Sequence, residues 1–167
     1  MPTYTCAVLT VSDKGSRNER QDTSGPALCE MLLAQGYTVA AQSMVPDRIE
    51  AIQGAVRLWI DEQGIDLVVS TGGTGVAPTD VTPEAVRPLF DKEVPGMAEA
   101  MRQQSLMKTP HAMLSRGVAG IRGKSLIITL PGSQRAATEN LAVVLPALHH
   151  AIAKIKGDPA DCAEQSA

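Results

Sequence analysis

The chain has 167 residues, 15 basic and 18 acidic, giving a formal net charge of -3, and is 44% hydrophobic but only 2% aromatic. That length suits a single domain whose core is built from Val, Ile, Leu, Ala and Met. The slight negative charge argues against a broad phosphate-binding surface for nucleic acid, and no run approaches the roughly 18 apolar residues that span a bilayer. The N-terminus lacks a charged region followed by an apolar one, so a cytoplasmic protein with neither nucleic-acid nor membrane partners is expected.

In chain order, Tyr4 to Val11 is an apolar run with β-branched residues that ends on Ser12-Asp13-Lys14-Gly15, which predicts a strand entering a turn. After a polar stretch, Leu28, Met31 and Leu32 trace a helical face that stops at Gln35-Gly36, with Ser24 as its N-cap. Tyr37 to Val45 predicts a second strand closed by Pro46-Asp47. Ile49, Ile52, Val56, Trp59 and Ile60 then repeat at helical spacing between Arg48 and Glu62, which makes Trp59 a core anchor. Asp66 to Ser70 is a compact apolar strand that runs straight into Thr71-Gly72-Gly73-Thr74-Gly75. Two short helices follow, one near Thr82-Pro83-Glu84 and one after Pro95-Gly96, since proline is favoured in a first helical turn. Leu114 to Arg122 and Ser125 to Leu130 read as an antiparallel hairpin across Gly123-Lys124. Pro131-Gly132-Ser133 then opens a long helix to Lys156. The domain is expected to cover 1–157, with a flexible tail over 158–167.

Strands alternating with helices predict a three-layer α/β/α sandwich, with a mostly parallel sheet, right-handed crossovers and one antiparallel strand from the hairpin. Ligands of such sheets bind beyond the carboxyl ends of the strands. Ser12-Asp13, Pro46-Asp47, Thr71 to Asp80 and Pro131-Gly132-Ser133 should therefore gather at one edge.

The Thr71 to Gly75 segment places three glycines in four positions at a strand end, where missing Cβ atoms let backbone N–H groups approach an anion. It matches neither the GxxxxGK[ST] nor the GxGxxG pattern. Asp80 follows closely, and Asp47 and Asp13 end neighbouring strands; carboxylates beside a phosphate cradle suit Mg²⁺. Asp80 can equally be read as an N-cap before Val81-Thr82-Pro83, and Ser133 as the N-cap of the last helix. Cys6, Cys29 and Cys162 are read as plain thiols, and no Cys or carboxylate stands at metal-ligand spacing in sequence from His111, His149 or His150.

The runs LTVSD (9–13), VPD (45–47), STGGTGVAPTDVTPEA (70–85), PGMAEAM (95–101), MLSRGVAGIRGKSLIITLPGS (113–133) and LPALHHAI (145–152) resemble the molybdopterin adenylyltransferase family, which includes the bacterial Mog-like proteins and the G domain of gephyrin. The resemblance covers Ala7 to about Lys156. It implies an enzyme of molybdenum-cofactor biosynthesis in which the terminal phosphate of molybdopterin attacks the α-phosphorus of Mg·ATP, giving adenylylated molybdopterin and pyrophosphate. Carried over by position, Thr71, Gly72, Gly73, Thr74 and Gly75, with Ser12 and Asp13, would hold the nucleotide. Asp80 and Asp47 would organise Mg²⁺ as catalytic carboxylates, and Ser115, Arg116, Gly132 and Ser133 would meet molybdopterin. Gln134-Arg135 depart from the proline or lysine that many members carry there. Arg17 and Arg20 are either solvated charges or reach substrate. The resemblance further implies a homotrimer or a hexamer, and hand-over of the product to a molybdenum-insertion protein. The alternative is a catalytically weak scaffold member, whose sign would be loss of Asp80 or of TGGTG; both are intact.

Overall fold

The structure is a computed structural model and describes residues 3–159. The chain runs β1 (Thr5–Val11), α1 (Asp13–Ser16), α2 (Ser24–Ala34), β2 (Thr38–Val45) and α3 (Ile49–Arg57), the last continued by a π-helical turn, Leu58–Glu62. It goes on through β3 (Leu67–Thr71), α4 (Thr82–Val86), a 3₁₀ turn over Arg87–Leu89, β4 (Lys92–Glu93) and α5 (Pro95–Leu106). A second 3₁₀ turn, Pro110–Leu114, precedes β5 (Ala119–Arg122), β6 (Ser125–Leu130) and α6 (Gln134–Ile155).

The sheet has the order β2-β1-β3-β6-β5-β4, in which the first four strands are parallel and β5 is antiparallel to both its neighbours. The interior strands β1, β3 and β6 are apolar without alternation because helices cover both faces. Cys6 and Val8 of β1 pack with Leu28, Leu32, Leu141 and Leu148 of α2 and α6, whereas Ala7, Leu9 and Val11 pack on the opposite layer with Ile52, Val56 and Trp59. Burying each Leu or Ile contributes roughly 1.5–3 kcal/mol against the chain entropy lost. The chain leaves β1 for β2 on one side and returns to β3 on the other. That reversal opens a crevice beyond the carboxyl ends of β1 and β3.

The expected three-layer α/β architecture is present, with local differences. Ser24 does not cap α2: Asp22 Oδ1 accepts the Gly25 amide at 2.9 Å instead, and the Ser24 hydroxyl is used elsewhere. The predicted strand from Leu114 is shortened to Ala119–Arg122. Thr109 Oγ1 accepts the His111 amide and starts the 3₁₀ turn, and the Arg116 amide bonds to Thr74 O at 2.8 Å, which draws this stretch toward the glycine loop and away from the sheet. The hairpin turn itself is at Gly123-Lys124. The helical turn α1 and the two-residue edge strand β4 carry too few residues to leave a periodic signal. Cys162 and most of the expected tail lie outside the described residues, and no described helix is long and apolar enough to cross a membrane.

Candidate active site

Four strand ends build the site. After β1, Ser12 turns the chain by accepting the Gly15 amide on its hydroxyl at 3.0 Å, which leaves Asp13 facing the end of β2. There the Asp47 carboxylate accepts the Asp13 amide at 2.8 Å, and the Asp13 carboxylate accepts the Asp47 amide at 2.9 Å. This reciprocal pair locks two loops 34 residues apart in sequence. Burial pushes the Asp47 carboxyl above its ordinary range; the Asp13 amide pulls it back, and the negative charges of Asp13 and Asp80 add to the upward push. A cation would relieve that crowding.

After β3, Gly72 has φ +101 and packs so tightly on Val11 that a Cβ would run into the Val11 carbonyl. Gly73 has φ +67, and a Cβ there would strike the Thr82 hydroxyl and lie 3.2 Å from Asp47 Oδ1. Both positions thus need glycine for backbone reasons and for space. Thr82 holds the returning chain with a hydroxyl bond to Gly72 O at 2.8 Å and an amide bond to Gly73 O at 3.0 Å. Thr71 Oγ1 donates to Pro131 O at 2.6 Å, and Ser24 Oγ donates to Gly132 O at 2.8 Å. Hydroxyls thereby tie down the carbonyls of both glycine loops. The amides of Gly73, Thr74 and Gly75 donate to no acceptor among the described residues, the state expected of a backbone anion cradle.

Two recesses meet here. The larger, about 680 Å³, is walled by Ser12, Asp47, Thr71, Gly72, Gly132 and Ser133, with Arg20 and Gln21 at its side. The smaller, about 430 Å³, is walled by Thr74, Gly75, Ser115 and Asn140, with Arg102 and Lys108 as cations. Gly73, Asp80 and Gly132 border both, forming the ridge between them.

Most residues singled out from sequence therefore converge, in two groups. Asp13 lines neither recess and serves to hold Asp47. Asp80 is not an N-cap: α4 follows Val81 without a side-chain cap, and Asp80 Oδ2 accepts the Ala77 amide at 3.0 Å. Ser133 does cap α6, accepting the Ala136 amide at 3.3 Å, and also faces the larger recess. Arg116 lies outside these two recesses and lines a neighbouring one with Ser115, Arg102 and Glu84; its guanidinium donates to Gly75 O at 2.6 Å, to Asp80 O at 2.8 Å and to the Glu84 carboxylate. Arg17 is paired with Glu19 at the surface, whereas Arg20 reaches the cleft. Thr82 and Asp22 escaped the sequence reading, which makes Ser24 only a cap: the partners of the Thr82 and Ser24 hydroxyls lie 10 and 108 residues away, and Asp22 joins Gly25 to Thr10 of β1. Only the extra threonine in TDVT hinted at Thr82.

The residues suit Mg²⁺ arriving with a nucleotide, since that ion is usually held by one or two carboxylates plus substrate phosphates. Asp47 and Asp80 line the larger recess together with Gly73, and among the described residues no group of three or more metal-binding side chains would hold an ion without a substrate.

Fold and site together define a doubly covered α/β protein with a glycine-lined, carboxylate-flanked cleft at the switch point of its parallel sheet. Residues 7–150 match the family model described as "Probable molybdopterin binding domain". The chain belongs to this family, the molybdopterin-binding domain of molybdenum-cofactor biosynthesis. It is 41% identical over 165 residues to the molybdopterin adenylyltransferase of Helicobacter pylori, covering 95% of this chain and 91% of that protein. The crystal structure of the molybdopterin biosynthesis enzyme MoaB from Thermus thermophilus superposes with a TM-score of 0.89 at 53% identity, covering 94% of this chain and 99% of that one. Identity to the gephyrin of Dictyostelium discoideum is 46% over 162 residues, but there the chain spans only 22% of the longer protein.

Proposed function

We propose that this chain transfers AMP from ATP to the terminal phosphate of molybdopterin. The observation that carries the reading is the joining of two recesses along the Gly73, Asp80 and Gly132 ridge, one glycine-lined and acidic, the other more apolar and bordered by Arg102 and the Lys108–Glu139 ion pair. Such a pair suits two substrates whose phosphates must meet. In the reaction, an oxygen of the molybdopterin phosphate forms a bond to the α-phosphorus of ATP, the bond from that phosphorus to the bridging oxygen breaks, and pyrophosphate leaves with the electron pair.

Such a transfer needs positioning and charge neutralisation more than a strong base. The Gly73 to Gly75 amides, running from the ridge into the smaller recess, would hold nucleotide phosphate oxygens where the recesses meet, with Thr71, Gly72 and Ser12 shaping the wall of the larger recess. Asp47 and Asp80 would hold Mg²⁺, which supplies neutralisation of the charge that develops on the phosphate oxygens. Ser115 and Gly132 would receive the molybdopterin end from the smaller recess, while the α6 N-terminus after Ser133, on the larger recess, would face the phosphates where the two substrates meet, since orphan helix amides favour an anion. Arg102 and Lys108, which line the smaller recess while bonded to Gly117 O and Glu139, would add positive charge there.

The test is direct. Incubating the protein with molybdopterin, ATP and Mg²⁺ should yield adenylylated molybdopterin and an equal amount of pyrophosphate, read by mass spectrometry and a coupled phosphate assay. Binding of both ligands without either product would overturn the reaction and leave a carrier.

A further inference from the structure

The segment that follows the glycine loop has an exposed tip, Val76–Thr79, between two fixed points. Thr82 pins its base to Gly72 and Gly73. Across its middle lies Arg116. The Nε group donates to Gly75 O at 2.6 Å, Nη2 donates to Asp80 O at 2.8 Å, and the outer nitrogens meet the Glu84 carboxylate, with Nη2 to Oε2 at 3.3 Å. The backbone of the same residue joins the cluster, its amide donating to Thr74 O at 2.8 Å. One side chain thus bridges the two ends of the 75–80 loop and is itself braced from α4.

As an ion pair the contact carries little, since the side chains of Arg116 and Glu84 are 36% and 48% exposed and solvent screens their attraction. Its value is geometric. Two carbonyls five residues apart and a carboxylate are satisfied at once only by a planar fork with donors on several edges, which an ammonium on a flexible stem does not reproduce. What the fork fixes is the backbone of Asp80, while the Ala77 amide fixes its carboxylate from the tip.

We propose that Arg116, braced by Glu84, is a positioning residue that clamps the 75–80 loop so that the Asp80 carboxylate stays on the ridge between the two recesses. The inference rests on the proposed adenylyl transfer and replaces direct contact of Arg116 with molybdopterin. Without the clamp the loop pivots on Thr82, and Asp80 spends less time where it can serve a bound nucleotide.

The experiment compares the 167-residue chain with its Arg116→Lys, Arg116→Gln and Glu84→Gln variants, using molybdopterin, ATP and a Mg²⁺ titration. Arg116→Lys should lower kcat at least tenfold and raise the Mg²⁺ concentration for half-maximal rate several-fold, leaving KM for molybdopterin within twofold. Arg116→Gln should do no better, and Glu84→Gln should move both quantities the same way by less. Amide hydrogen exchange of residues 74–80 should quicken in all three. A raised KM for molybdopterin with an unchanged Mg²⁺ dependence would return Arg116 to substrate contact. Loss of thermal stability and rate together, again with unchanged Mg²⁺ dependence, would reduce the clamp to a merely structural one. If an Arg116 variant does not fold, Glu84→Gln decides between these outcomes. If the wild type forms no product, the parent reading fails by itself, and unaltered exchange at 74–80 in Arg116→Lys would still overturn the clamp.

Discussion

Asp80 sits before a short helix, as an N-cap would, yet its carboxylate turns back to the Ala77 amide at 3.0 Å and α4 begins without it. An asparagine there keeps an oxygen for that amide and nearly the same volume, so only the negative charge is lost. If the charge serves the nucleotide, Asp80→Asn should cut turnover by roughly 100-fold or more, the scale of removing one transition-state stabiliser. Molybdopterin binding and the melting temperature should change little. Wild-type rates across a Mg²⁺ titration would instead leave Asp80 as a loop brace. Asp47 belongs to the same electrostatic unit, because burial together with the Asp13 and Asp80 charges holds its carboxyl above the usual range. Sites that crowd like charge in this way give up stability for binding.

At the scale of elements, the cleft depends on strands stopping where backbone can touch backbone. The position of a Cβ on Gly132 lies 3.3 Å from Gly72 Cα, so the loops after β3 and β6 pack glycine on glycine. Gly73→Ala places a methyl against the Thr82 hydroxyl and forces a non-glycine residue to φ +67. Gly36→Ala, at φ +84 with open space around the new methyl, imposes the same backbone strain away from the cleft. Gly36→Ala should cost about 1–2 kcal/mol of stability, and Gly73→Ala more, because the buried Thr82 hydroxyl must also shift. Only Gly73→Ala should also weaken ATP binding by at least tenfold, about 1.4 kcal/mol, as measured by titration calorimetry. Equal ATP affinity in the two variants would remove the phosphate-cradle role from the loop.

Across the whole molecule, the end of the sheet opposite the cleft is closed by Asp66, 7% exposed, which accepts the Thr5 amide at 2.9 Å and pairs with Lys156 just past the end of α6. Burial pushes this carboxyl up, but Lys156 and the two Thr5 donors outweigh it and hold the carboxyl below its ordinary range. The folded state therefore binds the proton less tightly than the unfolded one. The stabilisation is fully present above the unfolded value of about 3.9 and is lost as pH falls through the lower folded value. Asp66→Asn should cost roughly 1–3 kcal/mol at neutral pH and flatten the acid limb of the stability curve below about pH 4; an unchanged limb in urea titrations would assign it to other carboxylates. The sequence by itself determined what local order can encode. Apolar runs without alternation marked β1, β3 and β6 as buried strands, helical spacing marked α3 and α6, and glycine density after β3 marked the loop between the recesses. It also over-extended β5 to Leu114, because an apolar run does not say whether a partner strand is available. Only the tertiary structure decided that Asp13 holds Asp47, that Ser24 serves the Gly132 loop, and that Arg116 clamps Gly75 and Asp80. Those bonds join residues 34 to 108 apart in sequence, and their donors and acceptors become neighbours only once the sheet order brings the strand ends together.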